Sequence, residues 1–254
     1  MTITKIAALL LLVCLPLDAA RKPNRTPAAA PTKALTPSEI LRKADDARAP
    51  EGDFSFFVKI KDYDGSKLLR TQLYKVFCKG EKYALIETEA PMRLKGRKIL
   101  LREDDLWLYL PSVKKPTRIS LQQRLTGEVA NGDIARTRFF DDYVAKISGK
   151  EAVEGRQVVV LDLAARKDSV TYRRVQLWVD GQNYQPSKAN FYALSGKLLK
   201  TSLYSDYKMA LGTLRASKVV IKDSLAPNKQ SHLNYYQYKR EELDESFFTK
   251  EALP

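Results

Sequence analysis

The feature that most restricts this chain is a period of two. From Asp53 onward, stretches that alternate apolar and polar residues are separated by short turn signals at Asp64-Gly65, Lys79-Gly80, Asp104-Asp105, Ser148-Gly149, Asp180-Gly181, Ser195-Gly196 and Leu211-Gly212. Successive side chains of a strand point to opposite faces, so this alternation reads as strands, and the tight turns between them read as antiparallel hairpins. Strands are predicted at about 53–63, 67–79, 82–89, 97–102, 106–111, 116–120, 143–149, 156–164, 170–179, 185–193, 197–207, 213–223 and 229–240. In the ninth of these, Thr171, Arg173, Val175, Leu177 and Val179 fall on one face, and Tyr172, Arg174, Gln176, Trp178 and Asp180 on the other.

So many strands cannot lie in one flat sheet. Open twisted sheets rarely exceed about ten strands without curling or closing, and the sequence offers few helices to cover one. One helix is expected from Pro37 to about Ala47, where Thr36, Pro37 and Glu39 supply an N-cap, a proline at the first helical position and a capping box. Its apolar face is Ile40, Leu41 and Ala44, with Arg42, Lys43, Asp45 and Asp46 toward water, and Pro50-Glu51-Gly52 ends it. Between Leu121 and Asp142 the hairpins are interrupted, and Gly127, Asn131 and Gly132 separate two short helical-looking pieces. A connection that long is often functional. The expected fold is therefore mainly β: a curved antiparallel half-barrel, an incomplete β-barrel, lidded by a few short α-helices. Such a shape leaves an apolar hollow on its concave face. Aromatic residues recur on the strands, at Trp107, Tyr109, Tyr143, Trp178, Tyr184, Phe191, Tyr192, Tyr204 and Tyr207. Most serve ordinary sheet packing, but short helices cannot cover all of them, so some line the hollow.

The first 36 residues read differently. Residues 1–20 carry Lys5, an apolar run from Ile6 to Leu17 and then Ala19-Ala20, the shape of a signal peptide cleaved after Ala19 or Ala20. The run is about a dozen residues, against the roughly 20 that span a bilayer. Residues 21–36, with Pro23, Pro27 and Pro31, read as a flexible Pro/Ala/basic tether. Residues 37–254 are one domain, placed by the leader in the periplasm. Loss of Cys14 with the leader leaves Cys78, expected as a small buried hydrophobe. The net charge is +14. The basic residues are scattered, which fits a solvated surface; an exported protein meets anionic membrane surfaces rather than nucleic acid.

The chemistry on offer is slight. The sequence has no Gly-rich phosphate loop, no Cys-x-x-Cys and no His pair for zinc, so neither a cofactor nor a metal is expected. Its single histidine, His232, sits on a strand beside Ser231, and the pairs Asp45-Asp46, Asp104-Asp105 and Asp141-Asp142 sit at turns or helix ends, where local structure explains them. No enzyme is expected.

Four groups of residues carry a family resemblance. Asp105–Pro111 (DLWLYLP), followed by Pro116–Ser120 (PTRIS), resembles the Trp-x-Tyr-x-Pro strand of the LolA periplasmic lipoprotein carriers. Gly96–Leu101 (GRKILL), Asn131–Arg136 (NGDIAR) leading to Phe139 and Asp142-Tyr143, and Phe191–Lys200 (FYALSGKLLK) resemble the LolA-like outer membrane lipoprotein-sorting proteins. The resemblance runs from about Asp53 to Thr249. It implies the half-barrel of the LolA and LolB proteins, and a carrier that takes acylated lipoprotein or other lipid cargo toward the outer membrane without chemistry. It also implies an inner- or outer-membrane protein partner, and a monomer is expected. Trp107, Tyr109, Phe191 and Tyr204 are the expected lining, with Ile134 and Phe139 on the lid, so that Trp107→Ala should weaken acyl binding more than it lowers the melting temperature. In the best-known carriers one arginine holds the lid closed; no one of Arg93, Arg97, Arg136 and Arg138 matches its surroundings, which leaves the cargo open. The alternatives are an RseB-like lipid sensor or adaptor of a membrane partner, and an accessory to a resistance-nodulation-division type exporter of hydrophobic molecules.

Overall fold

In the computed structural model, residues 35–153 and 155–254 are described; the leader and residues 21–34 of the tether lie outside them. The strands are β1 (Asp53–Asp64), β2 (Lys67–Lys79), β3 (Tyr83–Ala90), β4 (Lys98–Arg102), β5 (Asp105–Tyr109), β6 (Thr117–Ile119), β7 (Arg124–Thr126), β8 (Val129–Ala130), β9 (Tyr143–Val153), β10 (Arg156–Ala165), β11 (Arg174–Asp180), β12 (Pro186–Tyr192), β13 (Leu198–Ala210), β14 (Thr213–Asp223) and β15 (Lys229–Arg240). Two α-helices, α1 (Pro37–Asp46) and α2 (Asn131–Ala135), and short 3₁₀ turns at Met92–Leu94 and Glu245–Phe248 complete the described residues.

Thirteen strands form one antiparallel sheet in the order β6-β5-β4-β3-β2-β1-β15-β14-β13-β12-β11-β10-β9. Every neighbour is a hairpin partner except one: β1 pairs with β15, from Phe54↔Arg240 to Asp64↔Lys229. The chain thus builds one wing outward from β1 to β6, crosses to the far edge, and builds the second wing back from β9 to β15. Because β6 and β9 do not pair, the barrel stays open. Residues 120–142 make the crossing, and they run over the concave face.

Alternation shows which face is which. On β1, Phe54, Phe56, Val58 and Ile60 are buried and Lys59 is exposed; on β2, Tyr74, Val76 and Cys78 are buried. These concave side chains join Ile86, Ile99, Leu101, Leu106, Ile221 and Leu233 in one core, and Ile134 of α2 closes it from above. A second core, under α1, gathers Ile40, Leu41 and Ala44 with Leu161, Leu163, Val175, Leu177, Val179 and Phe191. Burial of the Cys78 side chain raises its thiol pKa well above the ordinary range, so it is the inert hydrophobe expected.

The structure departs from the sequence reading at four points. Ser148-Gly149 is no turn: β9 continues to Val153, and the register shift between Val160 and Leu161 of β10 absorbs the irregularity while Ser148 Oγ donates to the Val160 carbonyl at 3.2 Å. The first helical-looking piece after Leu121 is the β7–β8 hairpin. Its turn needs Gly127, at φ +48°, where a Cβ would lie 1.9 Å from Asp62 Oδ1. β11 begins at Arg174, so Thr171 and Tyr172 belong to the preceding loop and both are buried. Asp45, placed toward water by its polarity, is fully buried.

Candidate functional site

The hollow lies between the concave face of β1, β15, β14, β13 and β12 and a cover made of the end of α1, α2 and residues 136–143. Phe54 and Phe56 come from β1, Tyr235 and Tyr238 from β15, Val219 and Ile221 from β14, Ser202 and Tyr204 from β13, and Phe191 from β12. The rings interlock: Phe56 stacks on Tyr238 with centroids 5.3 Å apart, Tyr172 meets Phe191 at 4.6 Å, and Phe139 meets Tyr143 edge to face at 5.5 Å. The cavity volume is about 70 Å³. That is about half of the roughly 150 Å³ cavity that holds one benzene, so a long chain enters only if the cover moves.

Polar groups concentrate where the cover meets the sheet. Asp45 Oδ2 accepts from the backbone amides of Phe139 and Phe140, both at 2.8 Å, and Oδ1 accepts from Arg48 Nη1 at 2.9 Å. Burial pushes the Asp45 carboxyl above its ordinary range, while Arg48, Arg138 and the two amides hold that rise in check. Arg48 lies over the Phe139 ring at 3.6 Å and lines the cavity beside Tyr204. Burial in turn raises the Tyr204 phenol. Arg138 is tied to Asp46 at 2.8 Å, to the Ala49 carbonyl at 3.1 Å and to Glu81 at 3.0 Å. Arg136 bridges Asp142 at 3.2 Å and Asp104 at 2.7 Å. Asp133 of α2 pairs with Lys200 of β13 and accepts from the Tyr172 hydroxyl at 2.9 Å. The Asp133–Lys200, Arg138–Glu81 and Arg136–Asp104 pairs join the cover to the sheet and its turns, while the Asp45, Asp46 and Asp142 contacts bind the segments of the cover to one another. They are ionic and directional, whereas the rings beneath are neither.

Of the six residues singled out from the sequence, four meet at this cavity: Phe191 and Tyr204 from the wall, Ile134 and Phe139 from the cover. Trp107 and Tyr109 do not. Alternation along β5 sends Leu106 and Leu108 to the concave core and turns Trp107 and Tyr109 to the other face. There the C-terminal segment covers them, with Phe248 and Leu253 packed among Leu85, Leu100 and Tyr109, and Lys250 over the Trp107 ring at 4.6 Å. The expected ranking for Trp107 is reversed as a result. Trp107→Ala should lower stability by about 2 kcal/mol, less than a fully buried tryptophan, and leave acyl binding unchanged; thermal melts beside an acyl-probe titration check it.

Cavity residues the sequence reading did not single out are Phe54, Phe56, Tyr172, Tyr235, Tyr238 and Arg48. Phe54 and Phe56, two apart on a strand, carried a legible signal. Tyr235 and Tyr238 did not: three apart, they share a face only because Gln237, at φ +53°, breaks the period where the β1–β15 register shifts.

The remaining titratable groups do not assemble a catalytic site. Ser231 and His232 face opposite sides of β15; Ser231 Oγ donates to Asp62 at 2.6 Å, while His232 stacks on Tyr63 at 4.7 Å. Among the described residues no cluster of three or more His, Cys, Asp or Glu could hold a metal ion, and no helix is long and apolar enough to cross a membrane. Glu81 is the one carboxyl raised to about 7, by burial first and by its bond to Asp141, with Arg138 opposing. Its folded pKa exceeds its ordinary value of 4.5, so its contribution to stability is fully present below about pH 4.5 and lost as pH rises through 7. Glu81→Gln should therefore gain on the wild type in melting temperature between pH 4.5 and 7.5, which paired melts across that range would show.

An open antiparallel half-barrel with an aromatic hollow beneath an ion-paired cover defines the class of protein. Comparison with known proteins gives the family. A LolA superfamily protein from Nitrosomonas europaea is 39% identical, covers 86% of this chain and all of its own, and superposes with a TM-score of 0.83. A protein described as an outer membrane lipoprotein-sorting protein domain, from Vibrio parahaemolyticus, is 25% identical over 85% of this chain and 97% of its own, with a TM-score of 0.72. A DUF1329 family protein from Desulfovibrio piger shares the fold at 21% identity, with 85% of this chain and 97% of its own covered and a TM-score of 0.74. The family model that matches, over residues 80–254, is described only as an uncharacterized protein, and no curated protein matches. The chain belongs to the LolA superfamily.

Proposed function

We propose that this protein is a periplasmic carrier that reversibly buries acyl chains of a lipid or lipoprotein in the half-barrel cavity, with no covalent step. The observation that carries the reading is the cavity itself: an aromatic-walled hollow, too small as it stands for a long chain, under a cover seated on the wall by Ile134 and Phe139 and by ion pairs such as Asp133–Lys200. Each acyl CH₂ taken from water into such a wall gains about 0.8 kcal/mol. A chain of about 16 carbons can therefore supply roughly 13 kcal/mol, against the roughly 3–5 kcal/mol that breaking a buried pair costs, and Lys200–Asp133 is such a pair, with side chains 8% and 10% exposed. Entry of cargo would lift residues 131–143 off the wall; release would let them settle back. The LolA superfamily fold and the lipoprotein-sorting description of the Vibrio domain support this reading. Under it, the partners are the cargo and a membrane protein that loads or unloads the carrier.

The test is to purify the mature protein from the periplasm without detergent and to combine native mass spectrometry with lipid analysis of an organic extract. Co-purifying acylated mass supports the carrier and names the cargo class. A clean apo mass, together with failure to take up an acyl probe in vitro, would sink it.

A further inference from the structure

The convex face of the sheet carries a feature that the cavity does not use. On β1, β15 and β14 the residues opposite each other form three rows: Lys59–Asn234–Lys218, Lys61–His232–Val220 and Tyr63–Gln230–Lys222. The Cα positions of Lys59, Lys61, Lys218 and Lys222 thus fall within about 10 Å across the strands and about 14 Å along them. None of the four takes part in an ion pair among the described residues, and no convex position in these rows is a carboxylate. Asp206, at the margin near Lys218, is already paired with Lys208 at 3.0 Å. The imidazole at the centre senses the field: burial, then Lys218, Lys222 and Lys61, hold His232 below its usual range. Evenly spread like charges on a rigid sheet repel one another with no compensating partner in the fold, so the arrangement is complementary to something outside it.

We propose that this convex face is the docking site for a carboxylate-rich surface of a partner protein. Lysines suit carboxylates as point charges, without the fork geometry that favours arginine, and Asn234 and Gln230 between them add amide donors for the same oxygens. The choice of a protein over a bilayer rests on the carrier reading. The cover lies on the concave side, so a protein that grips the convex face leaves the cover free to lift, whereas a bilayer held to that face would turn the cavity away from the lipid.

The test measures fluorescence anisotropy of a labelled polyglutamate peptide with the full mature protein, with Lys59→Glu/Lys218→Glu, and with Lys146→Glu/Lys150→Glu, two exposed lysines of edge strand β9 that change the net charge equally. The expected result is roughly tenfold weaker binding by the first variant and a change within about twofold in the control, with wild-type melting and acyl-probe uptake in both. Equal weakening in both variants would overturn the proposal, because the attraction would then belong to the net charge. Co-sedimentation with phosphatidylglycerol/phosphatidylethanolamine vesicles that depends on Lys59 and Lys218, without peptide discrimination, would overturn it in favour of a bilayer. Failure of the wild type to take up the acyl probe would count against the carrier reading, and leaves the peptide comparison as a separate result.

Discussion

Replacing Asp45 with alanine is expected to lower the stability of this protein by about 3–5 kcal/mol, the largest loss predicted for any single residue here. Asp45 is fully buried and satisfies three donors at once: the amides of Phe139 and Phe140 and the Arg48 guanidinium. Its removal leaves a guanidinium that is itself only 11% exposed without its carboxylate, and two amides without an acceptor. Asp45→Asn retains one oxygen, which can accept from both amides, and loses the charged partner of Arg48, so it should lose about half as much. Urea denaturation gives both values, and hydrogen exchange at Phe139 and Phe140 should accelerate in the alanine variant. A loss below about 1 kcal/mol would show that Asp45 carries no charge to strand.

The second large effect is on binding. Ser202 lies on β13 opposite Ala189 and Ile221, and its small side chain faces the cavity. Ser202→Phe places a ring in a space of about 70 Å³ and takes the room of two or three methylenes. At about 0.8 kcal/mol for each, acyl-probe affinity should fall by roughly tenfold or more. The overpacking itself should cost about 1–3 kcal/mol of stability, so the variant remains folded at ordinary temperature. Unchanged probe affinity would mean that acyl chains bind elsewhere.

The strand positions, the open half-barrel and α1 with its capping box are legible in the sequence because each depends on local rules: period two, turn residues, and the Thr36 and Glu39 exchange of hydrogen bonds. What local rules cannot show is which sheet face becomes concave. Trp107 and Tyr109 alternate as cleanly as any pair, and only the return of the distant C-terminal segment over β3–β5 makes their face a second, outer core. Asp45 is a different case. Its polarity puts it with the water-facing residues, but it stands four residues after the buried Leu41 and so shares that face of α1, where the Phe139 and Phe140 amides meet it. Tyr235 and Tyr238 were hidden by a bulge, which breaks the alternation that reading depends on.

One feature of the topology reaches beyond binding. The strand that begins the sheet, β1, finds its second neighbour only in the strand that ends it, β15. A chain delivered from its N-terminus therefore presents β1 with one edge unpaired, and its row of Phe54, Phe56, Val58 and Ile60 half-covered, until nearly the whole domain has emerged. Closure then joins segments more than 160 residues apart in sequence, such as Asp64 and Lys229. Contacts of such separation make folding slow, and an unpaired apolar strand invites intermolecular pairing in the meantime. A nascent molecule of this design thus has the greatest need of a holding chaperone before its last strand arrives, and loss of that strand removes the centre of the sheet rather than its margin.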